Sequence, residues 1–194
     1  MLCSLVPGLC AQSCNPLRYA DLVVSGQALS QALSRPYGDG MIPNFHPVID
    51  GKVYRGGQPY LPSHWQELQA RGIKTVVKLN FRCEGIDDAA ERYGIKVLDF
   101  PMQPITFFQG IFGAPEDDEV AAAVAAMCDE GNWPLFVHCL HGQDRTGLVT
   151  AEFRVVKQEW PIEQARGEML LLGYHIELID LDRVWHRFVA SRRG

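Results

Sequence analysis

From residue 52 onward the chain alternates short apolar runs with longer segments of helical spacing. Residues 73–79 (IKTVVKL), 95–100 (IKVLDF) and 135–138 (LFVH) are rich in β-branched and apolar residues, as strands buried in a sheet should be, and Lys52–Arg55 reads as a further short strand. Between and after them, residues 62–71, 85–93, 116–129, about 145–159, 161–173 and 177–191 carry apolar positions at helix period. In the last of these, Leu178, Leu181, Val184, Trp185 and Phe188 share one face. Ser63 and Gln66 have the spacing of a capping box, and Pro161 suits a first helical turn. Gly72, Gly94 and Gly173 stand where helices should stop. The alternation predicts an α/β fold: a mostly parallel central sheet with helices on both faces. Ligands of such sheets bind beyond the carboxyl ends of the strands, which points to loops 80–84, 101–115 and 139–146.

Upstream, residues 17–34 fit a helix with Leu22, Leu29 and Leu33 on one side, and Pro36, Gly38, Gly40 and Pro43 mark a loop. The expected division is therefore an N-terminal arm, 1–40, and a catalytic domain, 41–194. Within the arm, MLCSLVPGLCAQSC has no Lys or Arg before its short apolar run, and Pro7 and Gly8 interrupt that run. It makes a poor export signal, so a cytoplasmic location is expected over an exported one.

Composition narrows the function classes. With 47 % hydrophobic and 21 % charged residues, the 194-residue chain is a globular protein. A net charge of −5 disfavours general binding of nucleic acid or anionic membranes, and no nucleic-acid partner is expected. No run of apolar residues is long enough for a membrane span. The six cysteines, at 3, 10, 14, 83, 128 and 139, form no C-x2-C pair, so neither a structural zinc site nor a disulfide scaffold is expected.

The chemistry concentrates in His138-Cys139-Leu140-His141-Gly142-Gln143-Asp144-Arg145-Thr146-Gly147, between an apolar strand and a helix. The backbone N–H groups of a tight strand-to-helix turn form an anion nest, and the helix N-terminus adds partial positive charge. Arg145 supplies a planar fork that matches two phosphate oxygens. The same positive field favours the thiolate form of Cys139, a nucleophile for phosphoryl transfer. Thr146 is placed to hydrogen-bond the sulfur, and Gly142 and Gly147 permit close backbone approach. The plainer alternative is a buried structural cysteine beside a surface arginine.

This H-C-x5-R-T-G loop resembles the phosphate-binding loop of cysteine-dependent protein tyrosine phosphatases, of the dual-specificity branch. The segments VYRGGQP, GIKTVVKLN and PLFVHCLHGQDRTGLVTAEFRVV are similar to small bacterial members, over residues 44–175. The resemblance implies a tyrosine-phosphatase-like fold and a phosphocysteine on Cys139. It implies phosphate bound by Arg145, hydrolysis assisted by Thr146, and neither metal nor organic cofactor. Leu140, His141, Gly142, Gln143, Asp144 and Arg145 would face the substrate, a phosphorylated protein or small phosphomonoester. His138 would fix the loop rather than act as a base.

The resemblance leaves the general acid open. Phe100-Pro101-Met102-Gln103-Pro104 lacks the carboxylate that relatives often carry there, and Asp99 falls inside a strand. Asp117 and Asp118, at a helix start, are the first candidates, with helix capping as their plainer role. Asp144, beside Arg145, is the second. In some relatives a cysteine at the position of Cys83 forms a reversible disulfide with the nucleophile, so Cys83 is expected to pair with Cys139 under peroxide. Arg82, Arg55 and Lys52 read first as ordinary solvated cations, with added positive charge for the site as the alternative. Phe107, Phe108 and Phe112 read as anchors of a long loop, with a pocket wall for an aryl phosphate as the alternative.

The leading expectation is a phosphomonoester hydrolase acting on phosphotyrosine, and on phosphoserine or phosphothreonine, in proteins. A phosphatase for inositol phosphates, lipid head groups, nucleotides or RNA 5′ ends is the second reading. A phosphopeptide-binding pseudophosphatase is the third. Sulfur carriers and arsenate reductases also use a cysteine nest, without requiring the Arg-Thr-Gly continuation.

Overall fold

The computed structural model describes residues 41–102 and 117–193. Its elements are β1 (His46–Ile49), β2 (Val53–Gly56), α1 (Pro62–Ala70), β3 (Thr75–Lys78), β4 (Lys96–Asp99), α2 (Asp117–Cys128), β5 (Leu135–His138), α3 (Asp144–Gln158), α4 (Ile162–Leu171) and α5 (Ile179–Arg193). The strands form one sheet in the order β1-β2-β5-β3-β4. All neighbours are parallel except β1 and β2. This is the expected α/β arrangement, and it sets β5 at the centre, with Gly56 and Lys78 in register on either side of His138.

Side chains of a strand alternate between the two faces of the sheet, and here they feed two cores. Val53, Val77, Leu135 and Val137 meet Val124 of α2, Leu148 and Phe153 of α3, Met169 of α4 and Trp185 of α5. Tyr54, Val76 and Phe136 meet Trp65 and Leu68 of α1, with Ile73, Ala90 and Ile95. Helices therefore cover both faces. β5 is fully buried along its length, so its carboxyl end holds whatever follows it in a fixed place. Among the described residues no helix is long and apolar enough to cross a membrane.

The departures from expectation have local causes. β1 was not expected because it contains Pro47, which cannot donate to a ladder; an edge strand tolerates that loss. Residues 85–93 are turns closing in a 3₁₀ helix, Ala90–Tyr93, because Asp87 is drawn inward to bond Gln58 and His138. α1 begins one residue ahead of Ser63, with Leu61 as N-cap and Pro62 in its first turn, so the Ser63–Gln66 box does not form. His64 Nδ1 instead accepts the Leu61 N–H at 3.4 Å. The expected helix at 17–34 lies outside the described residues.

Candidate active site

β5 delivers the chain at His138, residues 139–143 turn back, and α3 starts at Asp144. Three carbonyls of this turn are held from outside. His138 Nδ1 lies 3.3 Å from the Cys139 carbonyl. The Leu140 carbonyl accepts the Gln58 N–H at 3.1 Å. The Gly142 carbonyl accepts from Arg55 Nη2 and from Asn44 Nδ2, each at 2.7 Å. In a planar trans peptide the C=O and the following N–H point in opposite directions. Fixing these carbonyls outward turns the N–H groups of Leu140, His141 and Gln143 to the inner side, beside the N-terminus of α3. Gly142 has φ +74°, and a Cβ there would stand 2.4 Å from the Gly56 carbonyl carbon, so only glycine fits.

The inner side collects the expected nucleophile and its companions. Cys139 is buried, 3 % exposed, and its thiol is free. Arg145 is buried and grips Glu84 in a fork, Nη1 to Oε2 at 2.7 Å and Nη2 to Oε1 at 2.6 Å; Nη1 also reaches the Met102 carbonyl at 3.3 Å. Burial acts to lower the Arg145 pKa, but the Glu84 hydrogen bonds and the charge of Cys139 outweigh it and hold the guanidinium protonated. Burial likewise pushes the Glu84 carboxyl up, and the bonds from Arg145 return it below the usual carboxylate range. Arg145 Nε and Thr146 Oγ1 are buried with no hydrogen-bond partner. Unsatisfied buried donors are costly, so their persistence beside an anion nest points to a ligand that supplies the acceptors.

Behind the turn runs a buried polar chain. Asn80 Nδ2 donates to Gln58 Oε1 at 3.0 Å, Gln58 Nε2 donates to Asp87, and Asp87 Oδ2 lies 2.9 Å from His138 Nε2. Burial raises the Asp87 carboxyl, but the bonds from His138 and Gln58 outweigh that and hold it below the ordinary carboxylate value. His138 is thus clasped on both ring nitrogens.

The remaining expected residues separate. Asp144 sits at the first turn of α3, where its Oδ1 accepts from the His175 N–H and lies 2.9 Å from His175 Nδ1. Asp117 faces Arg187 of α5 in a two-oxygen ion pair at 2.6–3.1 Å, and that pairing lowers its carboxyl pKa. Asp118 is exposed in the first turn of α2. His141 is exposed, and Leu140 and Gln143 are half-buried. Cys83 is an exposed free thiol. Lys52 is exposed, and Arg82 is exposed and paired with Asp88, as solvated cations should be. Arg55 corrects the expectation: it is 1 % exposed, because its strand neighbours β5 and its side chain enters the core under the turn. Phe107, Phe108 and Phe112 lie outside the described residues.

Asn44, Gln58, Glu84 and Asp87 were not singled out from the sequence. Glu84 reaches Arg145 across 61 positions and Asp87 reaches His138 across 51, separations at which no local pattern announces a pair.

A family model described as "DSP-PTPase phosphatase fused to NAD+ Kinase" matches residues 40–178. The dual specificity protein phosphatase TpbA of Pseudomonas aeruginosa (strain UCBPP-PA14) is 37 % identical over 60 residues, 30 % of this chain and 28 % of TpbA. The crystal structure of P. aeruginosa TpbA superposes with a TM-score of 0.59 at 26 % identity, covering 74 % of this chain and 84 % of that one. A protein named as a tyrosine-protein phosphatase, OCA1 of Debaryomyces hansenii, is 27 % identical over 78 % of this chain and 84 % of its own length. The inositol diphosphatase DSP3 of Arabidopsis thaliana is 29 % identical over 68 % of this chain and 64 % of its own.

Proposed function

Since the chain belongs to the dual-specificity and tyrosine phosphatase family whose model covers most of it, we propose that it hydrolyses phosphomonoesters through a phosphocysteine on Cys139. The carrying observation is the turn itself: carbonyls fixed outward, and Arg145 Nε and Thr146 Oγ1 buried inside without partners.

In the first step Cys139 Sγ attacks phosphorus, the P–O ester bond breaks, and the leaving oxygen takes a proton from a general acid. The inward amides of Leu140, His141 and Gln143, with Arg145 Nε, meet the charge on the equatorial oxygens. Glu84 holds the guanidinium in plane while leaving Nε open. In the second step water attacks the phosphocysteine and gives its proton to the acid left ionised by the first step, the P–S bond breaks, and Thr146 Oγ1 donates to the departing sulfur.

Asp144 is the acid this arrangement favours. It adjoins Arg145 and is mostly shielded, whereas Asp117 is held ionised by Arg187 on a different helix. Phosphotyrosine in proteins, with phosphoserine and phosphothreonine, is the substrate class we favour, since relatives over this chain are named as dual specificity and tyrosine phosphatases. The competing substrate class is a non-protein phosphate ester. DSP3 is named for an inositol substrate, and the family description pairs the phosphatase with NAD+ kinase, so inositol phosphates and NADP belong in any substrate panel.

The deciding experiment is a rapid-quench trap with 32P-labelled phosphotyrosine peptide. The parent should accumulate covalently labelled phosphoenzyme, and Cys139→Ser should accumulate none. A serine variant that turns over at the parent's rate would end the proposal.

A further inference from the structure

Arg55 stands apart from every other cation in the described structure. It lies on β2 beside the strand that carries the nucleophile, with Arg55 in register with Val137. Val53 packs on the α3 side of the sheet and Tyr54 on the α1 side, so strand alternation sends Arg55 to the α3 side, under the turn. Its side chain is shielded from solvent, and its hydrogen bond goes to the Gly142 carbonyl at 2.7 Å. Nε and Nη1 have no partner.

A buried guanidinium normally sits against a bonded carboxylate. Arg145 does, on Glu84, and Arg154 does, on Glu168 at 2.6 and 2.9 Å. The carboxylates whose charge reaches Arg55 are Glu168 and Asp144, and both are bonded elsewhere, to Arg154 and to His175. Burial lowers the Arg55 pKa to about 10, which still leaves it charged at neutral pH, and the charge of Cys139 is among those that keep it so. The contrast with Arg145 is one of net charge. The Arg145–Glu84 pair sums to zero, while Arg55 brings a positive charge that no bonded carboxylate cancels. An anion lodged in the turn would add its charge to that of Cys139 opposite this guanidinium.

We propose that Arg55 is a positioning residue of the phosphate turn, which ties the Gly142 carbonyl outward so that the Gln143 amide faces the ligand and supplies positive charge beneath a bound oxyanion. This rests on the phosphatase reading of the same turn. It assigns Arg55 to ligand affinity more than to bond breaking, since its guanidinium acts through the backbone of residues 142–143.

The test is calorimetric titration with tungstate, together with steady-state hydrolysis of p-nitrophenyl phosphate, for the parent, Arg55→Met and Arg55→Lys. Losing one charge-assisted hydrogen bond and its charge should weaken tungstate binding about 10–100-fold in Arg55→Met. KM should rise by more than kcat falls, a split that a general loosening of the fold would not give. Arg55→Lys, which keeps the charge, should recover most of the affinity. A folded Arg55→Met protein that binds tungstate within about two-fold of the parent would overturn the proposal. If Arg55→Met does not fold, Arg55→Lys against Arg55→Gln decides: tighter tungstate binding by the lysine variant supports the assignment, and equal binding overturns it. Tungstate affinity is read without turnover, so a protein that binds the anion yet forms no phosphoenzyme would sink the hydrolase reading while still judging Arg55.

Discussion

On the outer side of the turn between β5 and α3, three carbonyls are each met by a fixed partner: the preceding residue His138 for Cys139 and, from other parts of the fold, the Gln58 N–H for Leu140 and Arg55 with Asn44 for Gly142. On the inner side, Arg145 Nε and Thr146 Oγ1 are buried and bond nothing. The same short segment is thus saturated on one side and open on the other. The difference teaches how a backbone becomes a binding site. Peptide groups are dipoles of fixed geometry, and whatever fixes the carbonyls decides where the amides point. The ligand then finds donors already oriented, so little reorganisation remains to be done when charge develops.

The harshest way to break this contrast is at Gly142. Its left-handed φ and the 2.4 Å separation that an added methyl would have from the Gly56 carbonyl carbon leave alanine no place. Gly142→Ala should cost about 3 kcal/mol or more, from backbone strain and overpacking together. Urea unfolding should show the loss, and the phosphoenzyme burst should vanish with it. A variant of parental stability and burst would mean that the turn is softer than its bonds imply.

A milder break is available behind the turn, at Asp87. Its carboxyl is held below the ordinary value of 3.8, so its contribution to stability is present above that pH and is lost as pH falls through the lower folded-state value. Asp87→Asn removes the charge and leaves the His138 ring poorly clasped. At neutral pH the variant should be about 2 kcal/mol less stable than the parent, and the gap should close as pH falls below the normal carboxylate range. Parallel denaturation curves at pH 7 and at the acid end check the sign; a gap that widens in acid would show that the buried pair is not what Asp87 contributes.

Legibility from sequence followed the range of the interactions. The inner residues Cys139, Arg145 and Thr146 lie within one short pattern, between a β-branched run and a helix, and both the fold class and these residues were readable there. The outer partners were not. Gln58, Glu84 and Asp87 act across a sheet whose strand order is β1-β2-β5-β3-β4, so residues distant in the chain become neighbours only once that order is known. Arg55 was misjudged for a related reason. An arginine on paper is a solvated residue, and only the placement of β2 against β5 reveals that water cannot reach it. β1 escaped because Pro47 reads as a strand breaker unless the strand is known to be an edge.

The finest distinction concerns the acids, which sit on either side of the same contrast. Asp117 belongs to the outer, structural kind: it joins α2 to α5 through Arg187, and both partners are about half exposed. Asp117→Asn should lower stability by under about 1 kcal/mol, as exposed ion pairs do, and leave the basic limb of the pH–rate profile in place. Asp144 borders the inner side, one residue before Arg145, with its carboxyl mostly shielded and one oxygen committed to His175. If its other oxygen carries the proton that the leaving group takes, Asp144→Asn should slow kcat by about 10²–10³-fold and flatten the basic limb. The loss should grow with the pKa of the leaving alcohol, being small for p-nitrophenol and large for an alkyl ester. Asp118→Asn, exposed on α2, serves as the third arm. Should Asp118→Asn rather than Asp144→Asn flatten the basic limb, the proton would come from the helix start at α2, and the inner side of the turn would supply charge and shape alone.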